Sequence, residues 1–562
     1  MPKVIGIGKQ RYDRIIENDG FYIDKTMFIK EWWENQDDVT LITRPRRFGK
    51  TLNMDMLKCF FSNEYKDRGD LFEGLDIWKE EKYRKIQGTY PVIFLSFAKI
   101  KQNTYEDAVA GIKRIICDEI QKYIFLKDWD GLADAEKNNL KNITYGMDDV
   151  TAQEAIASLS NYLSRYYGKN VIILLDEYDT PMQEAYVNGY LEELVSFTRS
   201  FFNATFKSNL YLERAVITGI TRVSKESIFS DLNNLKVITV ESDEYSDTFG
   251  FSEEEVFLAL DDFNLSDKKQ IVKEWYDGFT FGSQRDIYNP WSIINFLENK
   301  KIDTYWADTS SNSLINHLIK KSVPEIKELM ELLLKRESIE VTFDDQIVFN
   351  QLDKSKNAIW SLLLAGGYLK AEEVEYRGML LEPWYHLRIT NLETYSMFSN
   401  MFKGWFDDSM SNYNEFIEAL LKGNLKEMNI YMNDIALTTF SSFDTGNHPS
   451  KRSQPERFYH GFVLGLLVEL RDSYDVRSNR ESGYGRYDIM LVPHDQKNNA
   501  IVMEFKVHEA DEEETLEDTV QAALKQIREK NYDAGLTAAG IPKEKIRHYG
   551  FAFEGKKVLI GK

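Results

Sequence analysis

The chain has 562 residues, 43% of them hydrophobic and 13% aromatic, with 70 basic and 91 acidic side chains and a formal net charge of −21. That length predicts several domains, since single hydrophobic cores stop growing at about 250–300 residues, and the aromatic content excludes a mainly disordered chain. The longest aliphatic run, Val171–Leu175, is far shorter than the ~20 residues that cross a bilayer. We therefore expect no membrane partner, and the acidic excess argues mildly against non-specific coating of nucleic acid.

The cysteine content and the first residues bear on the compartment. Cys59 and Cys117 are too few for a disulfide framework or a cysteine-based zinc site, and both are predicted as small buried residues on helices. The opening Met-Pro-Lys-Val-Ile-Gly has no apolar stretch followed by a small-residue cleavage site. We expect a protein of the reducing cytoplasm.

Residues 1–245 alternate short apolar runs with amphipathic stretches. Continuous apolar strands separated by helices are typical of a parallel sheet covered on both faces, so this part is predicted to be an α/β domain. The predicted strands are Val39–Thr43, Tyr90–Phe97, Val171–Leu175 and Ala215–Ile220, and the predicted helices are Thr51–Ser62 and Thr151–Tyr167.

Residues 246–395 are predicted to form a mostly helical second domain. Within it, Ala358–Leu364 is predicted as a helix that Gly366-Gly367 ends, followed by a hairpin of Tyr368–Glu375 and Trp384–Thr390. A helix followed by a hairpin suggests a winged-helix-like module. Such a module can bind DNA or act as a lid or adaptor beside a nucleotide-binding domain, and the adaptor interpretation is favoured.

Residues 396–450 are polar and predicted to be a helical linker, and residues 451–562 a third domain. The elements predicted for that domain are a helix over Glu456–Leu470, a strand near Val476, a hairpin of Tyr487–Val492 and Ala500–Phe505, and a helix over Leu516–Lys530.

A phosphate-binding loop is predicted between the first strand and the first helix. The pattern G-x-x-x-x-G-K-[ST] is met at Gly49, Lys50 and Thr51, whereas Arg44 replaces its first glycine. Backbone N–H groups at a helix start receive phosphate oxygens. Lys50 would then neutralise the β- and γ-phosphates of ATP, and the Thr51 hydroxyl would bind Mg²⁺. The alternative is an ordinary strand-to-helix turn.

Two further strand ends should supply acids and polar groups to the same edge of the sheet. Asp176 would complete the Mg²⁺ shell and Glu177 would polarise the attacking water as a general base, although paired acids also occur as helix caps. Thr218 could sense the γ-phosphate, and Arg222 could stabilise charge in the transition state or simply form a surface salt bridge.

A second constellation lies near the C-terminus. Glu504 and Lys506 are two apart on a predicted strand, so they share one face, and Asp488 lies on the preceding strand. The acids could bind Mg²⁺ or Mn²⁺, with Lys506 positioning water or neutralising phosphate. Glu456 could complete the metal site, and Gln526 could orient the lysine or the phosphate. A solvated hairpin salt bridge is the alternative.

The phosphate loop, the strand ends and the C-terminal constellation together resemble the bacterial AAA-ATPase-like proteins. These are P-loop ATPases close to the STAND and archaeal ATPase groups, and they are commonly fused to a PD-(D/E)XK nuclease-like domain. The missing first glycine belongs to the pattern of that family. The similar segments are 23–26, 43–51, 175–179, 218–222, 276–279, 287–291, 456–460, 479–488, 503–506 and 526–532.

The resemblance implies a fold class: a P-loop NTPase parallel sheet, a helical and winged-helix-like middle region, and a C-terminal α/β restriction-endonuclease-like domain. The implied nucleotide-binding residues are Arg46, Arg47, Phe48, Gly49, Lys50, Thr51, Asp176 and Thr218. The implied catalytic residues are Glu177, Arg222, Asp488, Glu504 and Lys506.

The resulting hypothesis is an ATP-binding and ATP-hydrolysing protein whose nucleotide state gates metal-dependent cleavage of nucleic acid, DNA in the first place. Such coupling would suit defence against foreign DNA, and self-association is left open. The rival hypothesis is a non-catalytic regulator or scaffold, in which the nuclease-like fold only binds nucleic acid or protein.

Overall fold

The computed structural model describes residues 3–221, 228–229, 231–307, 315, 318–319, 324–343, 358–404, 410–439, 459, 463, 466–467, 470, 473–478, 481–482, 485–495, 497–508 and 515–562. The chain divides into two compact units, one of residues 1–318 with 338–395 and the other of residues 319–337 with 396–562. Among the described residues, no helix combines the length and apolar composition needed to span a membrane.

The first unit is built on a five-stranded parallel sheet in the order β2-β3-β4-β1-β5. Every residue of β1 and β3 is buried, as expected for strands covered by helices on both faces. The strands are β1 Val39–Thr43, β2 Val92–Ser96, β3 Val171–Asp176, β4 Leu212–Gly219 and β5 Leu235–Ile238. The predicted parallel α/β sheet is confirmed.

Helices of the first unit are amphipathic and carry their apolar side chains into this core. Cys59 and Cys117 are both buried and reduced, on α3 and α5. The helices up to residue 299 are α1 Tyr12–Glu17, α2 Met27–Asn35, α3 Lys50–Phe61, α4 Glu81–Arg84, α5 Tyr105–Gln121, α6 Asp134–Asn142, α7 Asp149–Tyr167, α8 Thr180–Asn188, α9 Leu191–Phe202, α10 Glu253–Asp262, α11 Lys269–Tyr276 and α12 Pro290–Asn299.

Two small antiparallel sheets complete the first unit. One has the order β6-β8-β7 and the other the order β10-β11-β9. The predicted helix and hairpin of the winged-helix-like module are α14 and β10–β11. The bounds are β6 Phe251–Ser252, β7 Phe279–Phe281, β8 Gln284–Tyr288, β9 Ile339–Val341, α14 Ala358–Ala365, β10 Leu369–Arg377 and β11 Glu382–Ile389.

The second unit contains a mixed five-stranded sheet in the order β12-β15-β16-β17-β18, in which β16 and β17 are parallel and the other pairs antiparallel. Strands β13 and β14 form a short separate pair. The bounds are α13 Pro324–Leu334, α16 Met410–Lys422, α17 Leu425–Thr439, β12 Tyr474–Ser478, β13 Glu481–Ser482, β14 Gly485–Arg486, β15 Ile489–Pro493, β16 Ala500–Val507, α18 Leu516–Glu529, α19 Ala534–Ala538, β17 Ile546–Glu554 and β18 Lys557–Gly561. Helix α15, Leu392–Gly404, contains the division between the two units after Tyr395.

The α16–α17 pair, which falls in the predicted linker, packs against the sheet of the second unit. Phe416 and Met432 lie in one buried cluster with Phe505 and Phe551 of the sheet. Asn429 also exchanges two hydrogen bonds with the backbone of Ile560 in the edge strand β18. The pair therefore contributes to the same core as the sheet, while the three predicted domain boundaries stay predictions.

Candidate nucleotide and nuclease sites

The phosphate-binding loop runs from the end of β1 to the start of α3. Its left-handed backbone positions are Arg47, with φ of 65°, and Gly49, with φ of 79°. A Cβ on Gly49 would meet no heavy atom within 4 Å, so this glycine opens into free space. Arg44 does not adopt a left-handed φ. The loop therefore needs no glycine at that position.

The side chain of Arg44 is fully buried below the loop. Its guanidinium donates to the carbonyl oxygens of Thr43 at 3.0 Å and Thr239 at 2.6 Å, and it lies 4.6 Å from the ring centroid of Phe281. Burial lowers the pKa of Arg44 to about 9. The residue that replaces the glycine thus anchors the loop to the core.

Lys50 is buried at the start of α3, where the ammonium lies inside the loop. Its Nζ donates to the carbonyl oxygens of Arg44 at 2.8 Å and Pro45 at 2.7 Å. Burial lowers the pKa of Lys50, while the acids Glu177, Asp179 and Asp176 act in the opposite direction. A buried cation held by neutral carbonyls beside a cavity is suited to receive an anionic phosphate.

Asp176, at the end of β3, joins the helix start to the neighbouring strand. Its carboxylate accepts a hydrogen bond from Thr51 Oγ1 at 2.7 Å and another from Thr218 Oγ1 at 2.6 Å. Asp176 is fully buried, and burial raises its pKa although both hydroxyls lower it. Thr218 was predicted to sense the γ-phosphate, and in the structure its hydroxyl orients the Asp176 carboxylate.

A cavity of about 410 Å³ lies over this loop. Glu177 follows β3 in a left-handed conformation, with φ of 52°, and accepts a hydrogen bond from Thr180 Oγ1 at 3.1 Å. The guanidinium of Arg47 lies 4.4 Å from the ring centroid of Trp291. The predicted residues among those that line the cavity are Arg46, Arg47, Phe48, Gly49, Lys50, Thr51 and Glu177.

Two residues that had no predicted role fix the turn after β4. Asp179 Oδ2 accepts hydrogen bonds from the backbone N–H groups of Ile220 and Thr221, both at 2.9 Å. Gln183 donates to the same oxygen at 3.1 Å and accepts from Arg46 at 3.1 Å. Asp179 belongs to the family-like segment, whereas Gln183 carries no sequence signal because its contact with Arg46 spans 137 residues of the chain.

In the second unit, Asp488 and Glu504 lie at facing positions of adjacent strands. Ile489 pairs with Met503 in the antiparallel register of β15 and β16, so the preceding Asp488 lies opposite Glu504. Asp488 Oδ2 accepts a hydrogen bond from the backbone N–H of Phe505 at 2.8 Å. Glu504 is 2% exposed and Asp488 half-buried, so the pair combines a buried and a half-buried carboxylate.

Gln526 and Tyr532 complete the surroundings of this pair. Gln526 Nε2, on α18, donates to Glu504 Oε1 and lies 3.3 Å from the Tyr532 hydroxyl. Burial raises the pKa of Tyr532, and the charges of Glu504 and Asp488 raise it further. Lys506 is half-buried on the same face of β16 as Glu504. Tyr532 had no predicted role, although it ends a family-like segment.

Arg222 and Glu456 were predicted site residues, and both lie outside the described residues. The distances and contacts given for the two sites therefore involve the other predicted residues.

Another group of possible metal ligands, Glu340, Glu375 and His386, lies within the small sheet of β9–β11. Arg377 forms ion pairs with both glutamates. A guanidinium already neutralises these acids, so the group is best explained as a surface ion-pair network.

The parallel sheet with its phosphate loop, and the mixed sheet with its carboxylate pair, define a nucleotide-binding and nuclease-like protein. Residues 6–229 match the family model AAA-ATPase-like, described as a predicted AAA-ATPase, and residues 454–562 match the PD-(D/E)XK nuclease superfamily. The chain thus carries an AAA-ATPase-like domain followed by a PD-(D/E)XK nuclease superfamily domain. The resemblance drawn from the sequence is confirmed.

A relative of similar length aligns with this chain along almost its whole length. It is an "Uncharacterized protein in vnfD 5′ region" of Azotobacter chroococcum mcd 1, 24% identical over 553 residues, and the match covers 96% of this chain and 95% of the relative.

Proposed function

We propose that the protein binds and hydrolyses ATP at the phosphate loop, and that its nucleotide state controls metal-dependent cleavage of nucleic acid, DNA in the first place, by the C-terminal domain. The observation that carries the proposal is the facing pair of Asp488 and Glu504 beside Lys506. The same chain also places Asp176 in a hydrogen bond with Thr51 at the phosphate loop. A nuclease that is inactive until a nucleotide signal arrives suits cytoplasmic defence against foreign DNA.

At the nucleotide site the donor set fits a triphosphate with Mg²⁺. Lys50 would bind the β- and γ-phosphates, and Thr51 with Asp176 would hold the ion, which supplies neutralisation of phosphate charge. Thr218 keeps the Asp176 carboxylate oriented. Glu177 would accept the proton of the attacking water at its carboxylate.

At the C-terminal site, paired carboxylates suit a hard divalent cation such as Mg²⁺ or Mn²⁺. Asp488 and Glu504 would hold the ion, which when bound supplies activation of water and stabilisation of phosphate charge. Gln526 holds the Glu504 carboxylate in place. Lys506 would neutralise the scissile phosphate or position the water.

The test uses full-length protein with supercoiled plasmid and Mg²⁺ or Mn²⁺, with and without ATP. Wild type should cleave the plasmid, and Glu504→Gln, which keeps the size and the acceptor for Gln526, should cut on the order of 100-fold more slowly. The exposed Glu517→Gln on α18 is the matched control and should leave cleavage unchanged.

Equal cleavage by wild type and Glu504→Gln would refute the assigned nuclease site. Equal cleavage with and without ATP would refute gating while leaving the nuclease in place. Wild type that binds DNA or a protein partner but cuts neither DNA nor RNA would favour the regulator or scaffold alternative.

A further inference from the structure

Two side chains from outside the parallel sheet converge on one carbonyl of the phosphate loop. Asn289 Nδ2 donates to the carbonyl oxygen of Arg46 at 3.2 Å, and Trp306 Nε1 donates to the same oxygen at 3.0 Å. Asn289 is fully buried and Trp306 is 1% exposed. The loop beside the nucleotide cavity is therefore held by residues far along the chain.

Aromatic contacts reinforce this hold. Phe48 of the loop packs against Phe279, with ring centroids 4.8 Å apart, and Phe279 packs edge-on against Trp306 at 5.6 Å. Trp306 in turn contacts Tyr368 at 5.2 Å. A displacement of the loop would press on the Trp306 indole through both its hydrogen bond and this packing.

Trp306 is tied by its own backbone to a buried carboxylate. The backbone N–H of Trp306 donates to Glu393 Oε1 at 2.5 Å, and Ser292 Oγ donates to Glu393 Oε2 at 2.7 Å. Glu393 is fully buried in the first turn of α15. The start of α15 is thus hydrogen-bonded to the residue that holds the loop.

We propose that Trp306 and Glu393 are positioning residues that carry the conformation of the phosphate loop into α15, and thereby the nucleotide state to the nuclease-containing unit. The proposal rests on the proposed function and names the route of its gating. The chain leaves the first unit after Tyr395, inside α15 and two residues beyond Glu393.

A bound phosphate would act on the loop directly beside the Arg46 carbonyl that this network contacts. Lys50 Nζ donates to the carbonyl oxygens of Arg44 and Pro45, and a bound phosphate would compete for that ammonium. The two carbonyls directly precede the one that Trp306 binds. Phosphate binding would therefore favour a loop conformation in which Lys50 turns from these carbonyls to the phosphate, and such a difference in interaction is what a shift of populations requires.

The test measures plasmid cleavage by the full-length protein with and without ATP, expressed as the ratio of the two rates. Trp306→Phe removes the indole donor, and Glu393→Ala removes the acceptor of Trp306 and Ser292. Both should bring the ratio to about one, with ATP-free cleavage and nucleotide affinity within a few-fold of wild type. Glu393→Gln keeps an acceptor and should restore the wild-type ratio.

Trp360→Phe is the matched control, since Trp360 is fully buried and its Nε1 has no hydrogen-bond partner among the described residues. It should leave the ratio unchanged. A wild-type ratio different from one that persists in Trp306→Phe and Glu393→Ala would overturn this route alone. A wild-type ratio of one would overturn the gating proposal and the route together. If Trp360→Phe also brings the ratio to one, the effect is general destabilisation, and the route is overturned.

Discussion

The two candidate sites place their acids in different ways. At the nucleotide site Asp176 is reached by Thr51 and Thr218, which stand 125 and 42 residues away in the chain. At the nuclease site Asp488 and Glu504 face each other across one hairpin. A hairpin brings its acids together through local register, whereas the nucleotide site needs β1, β3 and β4 to assemble from separate parts of the chain.

In both sites a neutral side chain donates to the buried acid. Threonine hydroxyls orient Asp176, and the Gln526 amide orients Glu504. The first unit contains one more acid of this kind, since Glu393 is also buried and hydrogen-bonded by neutral donors. Burial of acids among neutral donors makes the stability of this unit sensitive to pH. Removing one donor from each site compares how much the two sites depend on them.

The largest expected effect concerns stability and pH. Burial raises the pKa of Glu393 to about 7, although hydrogen bonds from Ser292 and Trp306 lower it. Because the folded state binds this proton more tightly than the unfolded state, the contribution of Glu393 to stability is fully present below about pH 4.5. It is lost as the pH rises to about 7, by roughly 3 kcal/mol in total.

The measurement compares the urea midpoints of wild type and Glu393→Gln between pH 5.5 and 8.5. The stability of wild type relative to the variant should fall as the pH rises towards 7 and then level off. Glu373→Gln, at an exposed residue of β10, should show a difference from wild type that does not change with pH. A Glu393→Gln difference that is equally flat would contradict the raised pKa.

A smaller effect is expected from removing the buried lysine of the phosphate loop. Lys50→Met keeps the length of the side chain but removes the ammonium, and with it a charge-assisted contact to phosphate of about 2 kcal/mol. Affinity for ATP should fall on the order of 30-fold by calorimetry. The exposed Lys79→Met should bind like wild type, and unchanged affinity in Lys50→Met would remove the phosphate-loop assignment.

Periodicity predicted the strands at the centre of the fold well. Strand β1 has the predicted bounds Val39–Thr43, and β3 extends the prediction by one residue. Strand β4 begins at Leu212, ahead of the predicted Ala215, because its first residues are only half-buried and include polar side chains. Fully buried apolar strands can be predicted from the sequence, whereas half-buried strand ends with polar side chains cannot.

Other features needed tertiary information. The sheet β6-β8-β7 went unpredicted because its strands have two to five residues, and Gln284–Asp286 of β8 is exposed. The acids at strand ends were predictable from their position after apolar runs. Gln183 and Trp306 were not, because the hydrogen bond that each forms with Arg46 comes from a distant part of the chain.

The smallest expected effects test whether the neutral donors matter equally in the two sites. Thr218→Val removes one hydrogen bond to Asp176 at nearly constant volume, and Gln526→Leu removes the donor to Glu504. Because loss of a donor to a metal-binding acid costs about 10- to 100-fold, we expect about tenfold slower ATP turnover in the first variant. We expect about tenfold slower DNA cleavage in the second, at the lower end of that range because each acid keeps its own carboxylate.

The readout that separates orientation from folding is the dependence on metal concentration. If the donors only orient the acids, raising Mg²⁺ or Mn²⁺ should recover much of each lost rate, whereas a folding defect would not respond. Thr198→Val, at a buried threonine of α9, and Gln521→Leu, at an exposed residue of α18, are the matched controls. Slower turnover in Thr218→Val with unchanged cleavage in Gln526→Leu would mean that the hairpin alone orients its acids. Only the nucleotide site would then depend on a neutral donor to its buried acid.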